Sequence, residues 1–160
     1  MLLSPNRYGE REMAEKQIRL TIESCLKNVS LIGQAVNKIS SYIGFNELSS
    51  YQLELCVVEA VNNVIIHAYE KEAGHEVEVT FNIYKDKLAI DVHDTGKSMG
   101  NKLLEKKEVS SLDFEPDDPG TIPEGGRGLA IIKEITDSVC YKTEGGRNCL
   151  TMTKILKQSE

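Results

Sequence analysis

A carboxylate, a carboxamide and an imidazole recur at four-residue intervals in VVEAVNNVIIHAYEK, residues 57–71, as Glu59, Asn63 and His67. On a helix that spacing lines them up in one column, along the edge of an apolar stripe made by Leu53, Val57, Ala60, Val61, Val64 and Ala68. Such a column suits a water or cation site, with Asn63 as an oxygen ligand and Glu59 as a base. It equally suits the plain polar flank of an amphipathic helix, and the segment alone does not choose.

Two further stretches carry chemistry. DVHDTGKSMG ends a strand pattern on Asp94 and follows it with Thr95-Gly96, placing a carboxylate at a strand terminus where a planar ligand could approach the backbone. Asp-x-Gly is also a common turn. GGRGLAII puts Gly125, Gly126 and Gly128 at the mouth of a helix, whose free N–H groups form a ready anion site. Those glycines could instead simply end a loop. No Lys-Ser/Thr pair follows them, so this is not a P-loop, and no strand of a βαβ unit precedes them, which argues against a Rossmann site.

The elements that must position these residues follow from periodicity. QIRLTIES alternates at Ile18, Leu20 and Ile22, which predicts a half-buried strand. Leu31, Ile32, Ala35, Val36, Ile39 and Ile43 predict an amphipathic helix over 27–42 that Gly44 stops. A second helix is expected from a Ser49-Ser50 cap to about Tyr69. Val77, Val79, Phe81 and Ile83, then Leu88, Ile90 and Val92, predict a hairpin turning at Lys85-Asp86-Lys87. From Thr95 to Gly126 the pattern dissolves into prolines, glycines and charge, as in a functional lid, with one helical turn expected around Leu103–Lys107. A helix from GGRGLAIIKEITDSV and a hairpin across Glu144-Gly145-Gly146-Arg147 complete the chain. The order β-α-α-β-β-lid-α-β-β implies an α+β fold, a mixed sheet with helices over one face.

With 160 residues, 40% of them hydrophobic, the chain suits one domain with a sizeable core. About the first fifteen residues are polar without a period and are expected to be an extension, leaving 16–157 as the domain. A net charge of −6 removes any general pull toward nucleic acid or anionic membranes, so a bound polyanion must be held by backbone donors, side chains or a metal ion. Cys25, Cys56, Cys140 and Cys149 have no zinc-ligand spacing and read as reduced structural thiols, three of them inside apolar elements. With no membrane-length apolar run or signal segment, a cytoplasmic location is expected.

Taken together, E-x-x-x-N on a helix, D-x-G after a strand and G-x-G opening a helix after a long loop resemble the nucleotide site of the GHKL ATPases. Within that group, EAVNNVIIHAYE and EGGRGLAII are most similar to the anti-sigma-factor serine/threonine protein kinases, over about residues 16–156. The resemblance implies a two-layer α/β sandwich of the Bergerat type, whose largely antiparallel sheet carries helices on one face. It implies ATP and Mg²⁺ as cofactors, Glu59 as general base and Asn63 as the Mg²⁺ ligand. Asp94 would accept from the adenine amine and Gly96 would let the base lie close. Gly126 and Gly128 would flank the phosphates, under a lid at about 97–125. An arginine often found two residues before G-x-G is Glu124 here, and Arg127 is the candidate to replace it. The final strand lacks a clear Gly-Thr, leaving Thr151 as the candidate to support the adenine aspartate. Implied partners are a small STAS-like antagonist as substrate, a sigma factor or similar regulator, and a second copy in a homodimer. A nucleotide-binding regulatory module without kinase activity is the alternative.

Overall fold

Strict alternation in four segments of the chain builds the frame of the molecule, and the computed structural model describes it over residues 4–5, 11–100 and 126–157. The strands are β1 (Ser4–Pro5), β2 (Arg11–Glu12), β3 (Lys16–Glu23), β4 (Glu76–Ile83), β5 (Lys87–Asp94), β6 (Ser138–Glu144) and β7 (Arg147–Ile155). The helices are α1 (Val29–Ile43), α2 (Glu47–Asn63) and α3 (Gly126–Ile135). Five strands form one sheet in the order β3-β4-β5-β7-β6. Every pairing in it is antiparallel. Among the described residues β1 and β2 pair only with each other, so the N-terminal stretch carries a short strand pair that its lack of period did not announce.

One face of the sheet is apolar and meets the helices. Val77, Val79, Phe81, Leu88, Ile90, Val92 and Met152 are almost fully buried there, against Val36, Leu53, Val57, Val61 and Ile132 of the helix layer. Each such side chain contributes about 1.5–3 kcal/mol relative to exposure. α1 lies close on α2 because Gly33 has no side chain: a Cβ there would sit 2.9 Å from Val58 Cγ2. Gly44 stops α1 as expected, in a left-handed conformation at φ 112°. Gly145 and Gly146, both at positive φ, turn β6 into β7.

Several expectations need correction. α2 starts earlier than Ser49-Ser50: its cap is Asn46, whose side chain accepts from the Ser49 N–H at 2.8 Å. Leu31 matches the spacing of the α1 stripe but is 62% exposed, on the flank away from α2. α2 also ends as a helix at Asn63, after which Val64–Ala68 wind as a π turn. Cys56 is buried in the core, whereas Cys140 is exposed and Cys149 half-buried. Both lie on the face of the sheet that no helix among the described residues covers. The expected helical turn at Leu103–Lys107 and most of the 97–125 lid lie outside the described residues. No helix among the described residues is long and apolar enough to cross a membrane.

Candidate functional site

Three of the sequence features meet along α2. Glu59 and Asn63 are half-buried on the side of α2 that packs against α3. Gly128, in the first turn of α3, lies directly over them: a Cβ there would stand 2.8 Å from Glu59 Oε2 and 3.4 Å from Asn63 Nδ2. Any other residue would fill the space above the carboxylate and the carboxamide. Gly126 opens the helix, so its N-terminal N–H groups are presented at the same edge. Arg127 is exposed beside them.

The D-x-G turn docks just beyond the same end of α2, on the π turn that follows Asn63. The π turn displaces the helix end, so that Tyr69 N bonds Val64 O at 2.9 Å and Lys71 N bonds Ile65 O at 2.8 Å. Glu70 and Lys71 then leave the helix in left-handed conformations. The carbonyl of Ala68, turned outward by this winding, accepts from Lys97 N at 2.9 Å. Gly96 presses against that carbonyl, and a Cβ on Gly96 would collide with it and lie 2.7 Å from its carbon. Its lack of a side chain is therefore required by the protein's own backbone, before any ligand is considered. π turns concentrate at functional sites, and here one joins the D-x-G turn to the helix that carries Glu59 and Asn63.

Asp94 is buried at the end of β5. Its Oδ1 accepts from Gly96 N at 2.9 Å and from Asn148 Nδ2 at 2.8 Å. Asn148 also donates to Gly96 O at 3.0 Å, clamping the turn from β7. Burial raises the Asp94 carboxyl above its ordinary range, and the Asn148 and Gly96 bonds pull it partly back. Among the described residues no group donates to Asp94 Oδ2, which leaves that oxygen as an acceptor for a ligand N–H.

Asn148 takes the place expected for Thr151. Thr151 pairs with Asp91 across β5 and β7, and its hydroxyl donates to Asp91 Oδ1 at 2.6 Å on the opposite face of the sheet. Asp91 and Asp94 are three positions apart, an odd offset, so their side chains leave the sheet on opposite sides. Tyr69 is a second contributor that periodicity did not reveal. Its hydroxyl donates to Glu76 O at 2.6 Å and accepts from Thr95 N at 3.0 Å, tying the D-x-G turn to the start of β4. Its ring stacks on His75 at 4.5 Å. His67, expected in line with Glu59 and Asn63, is exposed, because the π turn breaks the four-residue register after Asn63. Asn62 is half-buried. After Gly96, Met99 N bonds the Tyr141 hydroxyl at 2.9 Å, so the start of the 97–125 segment is fastened to β6. Glu124 and Gly125 lie outside the described residues.

Comparison with known proteins shows the family of the chain. The profile of the histidine kinase-like ATPase domain matches residues 22–154. A serine-protein kinase RsbW from Listeria monocytogenes is 31% identical over 90% of this chain and 90% of its own length. One from Oceanobacillus iheyensis is 27% identical over 89% of each. Among solved structures, a chain of the SiaB–SiaC complex from Pseudomonas aeruginosa superposes with a TM-score of 0.57 at 12% identity, covering 86% of this chain and 89% of that one. At that identity the likeness is one of fold.

Proposed function

The chain belongs to the histidine kinase-like ATPase domain family, on the side of its serine-protein kinase RsbW members, and from that premise we propose that it is an ATP-dependent protein serine/threonine kinase of the anti-sigma-factor type. Its substrate is a small STAS-like antagonist, and it holds a sigma factor or similar regulator when that antagonist is phosphorylated. The observation that carries the reading is the meeting of Glu59, Asn63 and Gly128 in the last turns of α2, with Gly96, beside Asp94, fastened to the π turn that follows.

In this reading Asp94 Oδ2 accepts from the adenine amine, while Asn148 and the Gly96 N–H hold the carboxylate in place. The N–H groups opening α3 take the phosphates through the gap that Gly128 leaves, and Arg127 adds a positive charge at that edge. Asn63 offers a carboxamide oxygen to Mg²⁺, whose role when bound is to neutralise charge on the phosphates. Glu59 removes the proton from the attacking serine hydroxyl as its oxygen bonds the γ-phosphorus, the bridging P–O bond breaks, and ADP departs. The chain's acidity is no obstacle, because positioning and local donors do this work. The same proposal includes a cytoplasmic homodimer. β3 lies at an edge of the five-stranded sheet, so a second chain has backbone groups available to pair with.

Incubation with γ-labelled ATP, Mg²⁺ and STAS-like proteins of the same genome tests the reading. Label on a serine or threonine of one of them is the expected result, with the label lost in Asn63→Ala. Nucleotide binding without any transfer assigns a regulatory module instead. Unchanged ATP affinity and turnover in Asn63→Ala overturns the assignment of the site.

A further inference from the structure

The helix-free face of the sheet carries a polar system that the nucleotide site does not use. A ladder of side chains crosses four strands there: Gln17 Nε2 donates to Asn82 Oδ1 at 2.8 Å, and Asn82 Nδ2 to Asp91 Oδ2 at 2.8 Å. Thr151 donates to Asp91 Oδ1 from the other side. One residue pair along, His93 and Cys149 stand directly opposite each other in the β5–β7 ladder. Cys149 Sγ is 4.0 Å from His93 Nε2 and 3.6 Å from Thr151 Oγ1. One ligand atom from each of Asp91, His93 and Cys149 lies within 4.8 Å of the other two, and among the described residues no other trio of such groups does so.

We propose that Asp91, His93 and Cys149 form a binding site for a divalent cation of the zinc class, on the face of the sheet opposite the nucleotide site. A mixed oxygen, nitrogen and sulfur set selects zinc or cobalt over magnesium and calcium, which take oxygen alone. Three protein ligands leave the fourth tetrahedral position to water. Around a tetrahedral zinc the sulfur and nitrogen ligands stand roughly 3.5 Å apart, so the Cys149–His93 gap needs only a small rotamer adjustment. Asp91 is already oriented by Asn82 and Thr151, in the manner of a ligand fixed by its outer partners, and each of its oxygens keeps a lone pair.

The charge states of the two ligands pull in opposite directions. Burial, with the nearby Arg147, holds His93 below its ordinary range, so the ring is neutral and available as a ligand. Burial pushes the Cys149 thiol up to about 11, which opposes coordination, since a metal must displace that proton. Coordination removes that proton outright and releases it to solvent. Arg147 Nε now donates to His93 Nδ1 at 3.3 Å, which leaves the hydrogen on Nε2. On metal binding that hydrogen shifts to Nδ1 and the Arg147 contact opens, while Arg147 Nη2 stays on Glu78 Oε1 at 2.8 Å. The site does not rest on the kinase reading, and its test needs no nucleotide.

Cobalt(II) is the probe, added to the full chain, reduced and stripped of metal, in a Cys25→Ser/Cys140→Ser background. Cys56 is fully buried, so Cys149 is then the accessible thiol. The expected result is a thiolate-to-cobalt absorption band with visible bands of tetrahedral intensity, saturating at one equivalent and displaced by zinc(II). Cys149→Ser should abolish the band. His93→Gln, at a half-exposed position, should leave the fold intact by circular dichroism and weaken cobalt binding by about tenfold or more. Absence of the band overturns the proposal. So does a band of unchanged affinity in both His93→Gln and Asp91→Asn, because that describes a lone thiol binding metal adventitiously.

Discussion

The two ends of the candidate nucleotide site are built differently. At the Asp94 end the carboxylate, the Gly96 turn, Asn148, Tyr69 and the Ala68 carbonyl are joined by a closed set of hydrogen bonds. At the Glu59 end, no side-chain hydrogen bond holds Glu59 or Asn63 among the described residues, and what distinguishes the place is the space above them left by Gly128. A recognition element gains from being fixed before the ligand arrives, because ordering then costs nothing at binding. A base that must take a proton and a ligand that must meet a cation need free lone pairs. The difference therefore separates residues that bind from residues that react, and variants at the two ends should fail in different ways.

The largest expected effect is at the reactive end. Glu59→Ala should lower phosphoryl transfer by about 10²- to 10⁴-fold, the range of a lost general base, with ATP affinity within about threefold of the parent. Single-turnover transfer and equilibrium nucleotide binding, measured on the same preparation, check this. A parallel loss of affinity would mean that Glu59 binds instead of reacting, and the two ends would no longer differ in kind.

Gly96→Ala should come next and should show first as instability. Its Cβ meets the backbone of Ala68, which cannot swing aside as a side chain can, so about 2–3 kcal/mol of stability should be lost. Gly128→Ala meets the far end of the Glu59 side chain instead. That variant should keep its melting temperature within about 4 °C, since a rotamer shift costs only about 1 kcal/mol, while transfer falls. Thermal unfolding of the two variants separates a glycine required by the fold from one required by the site.

How much of this was legible in the sequence depends on range. The alternating strands, both hairpins, the stop at Gly44 and the order of elements all rest on local pattern, and the structure follows it. Asn148 was not legible, because its role depends on which residue of β7 faces Asp94, and the two are 54 positions apart. A Thr151 side chain three residues further along leaves the sheet on the other side, so a small uncertainty in register exchanges the partner of one aspartate for that of another. The π turn left no periodic mark either, since Val64, Ile65 and Ala68 fit an α-helical stripe as well as the winding they adopt. Asn46 was readable in principle as an N-cap before Glu47, but Ser49-Ser50 offered the same residue class three positions on.

The binding end makes two smaller predictions. Asn148→Ala removes one of the two donors to Asp94 Oδ1 and the clamp on Gly96 O, so ATP affinity should fall by about tenfold, equivalent to about 1.4 kcal/mol, with the maximal transfer rate unchanged. Tyr69→Phe is milder and more discriminating. It keeps the ring that stacks on His75 and removes only the hydroxyl that joins Glu76 O to Thr95 N. Two neutral hydrogen bonds of this kind contribute about 1 kcal/mol each, and water reaching exposed Thr95 replaces part of that. The variant should therefore lose about 1 kcal/mol of stability and only a few-fold in affinity, with hydrogen exchange faster at Thr95 and Lys97 and unchanged around Glu59. Exchange that quickens equally at both ends would mean that the π turn couples them, and that the fixed end is also what holds the reactive one in place.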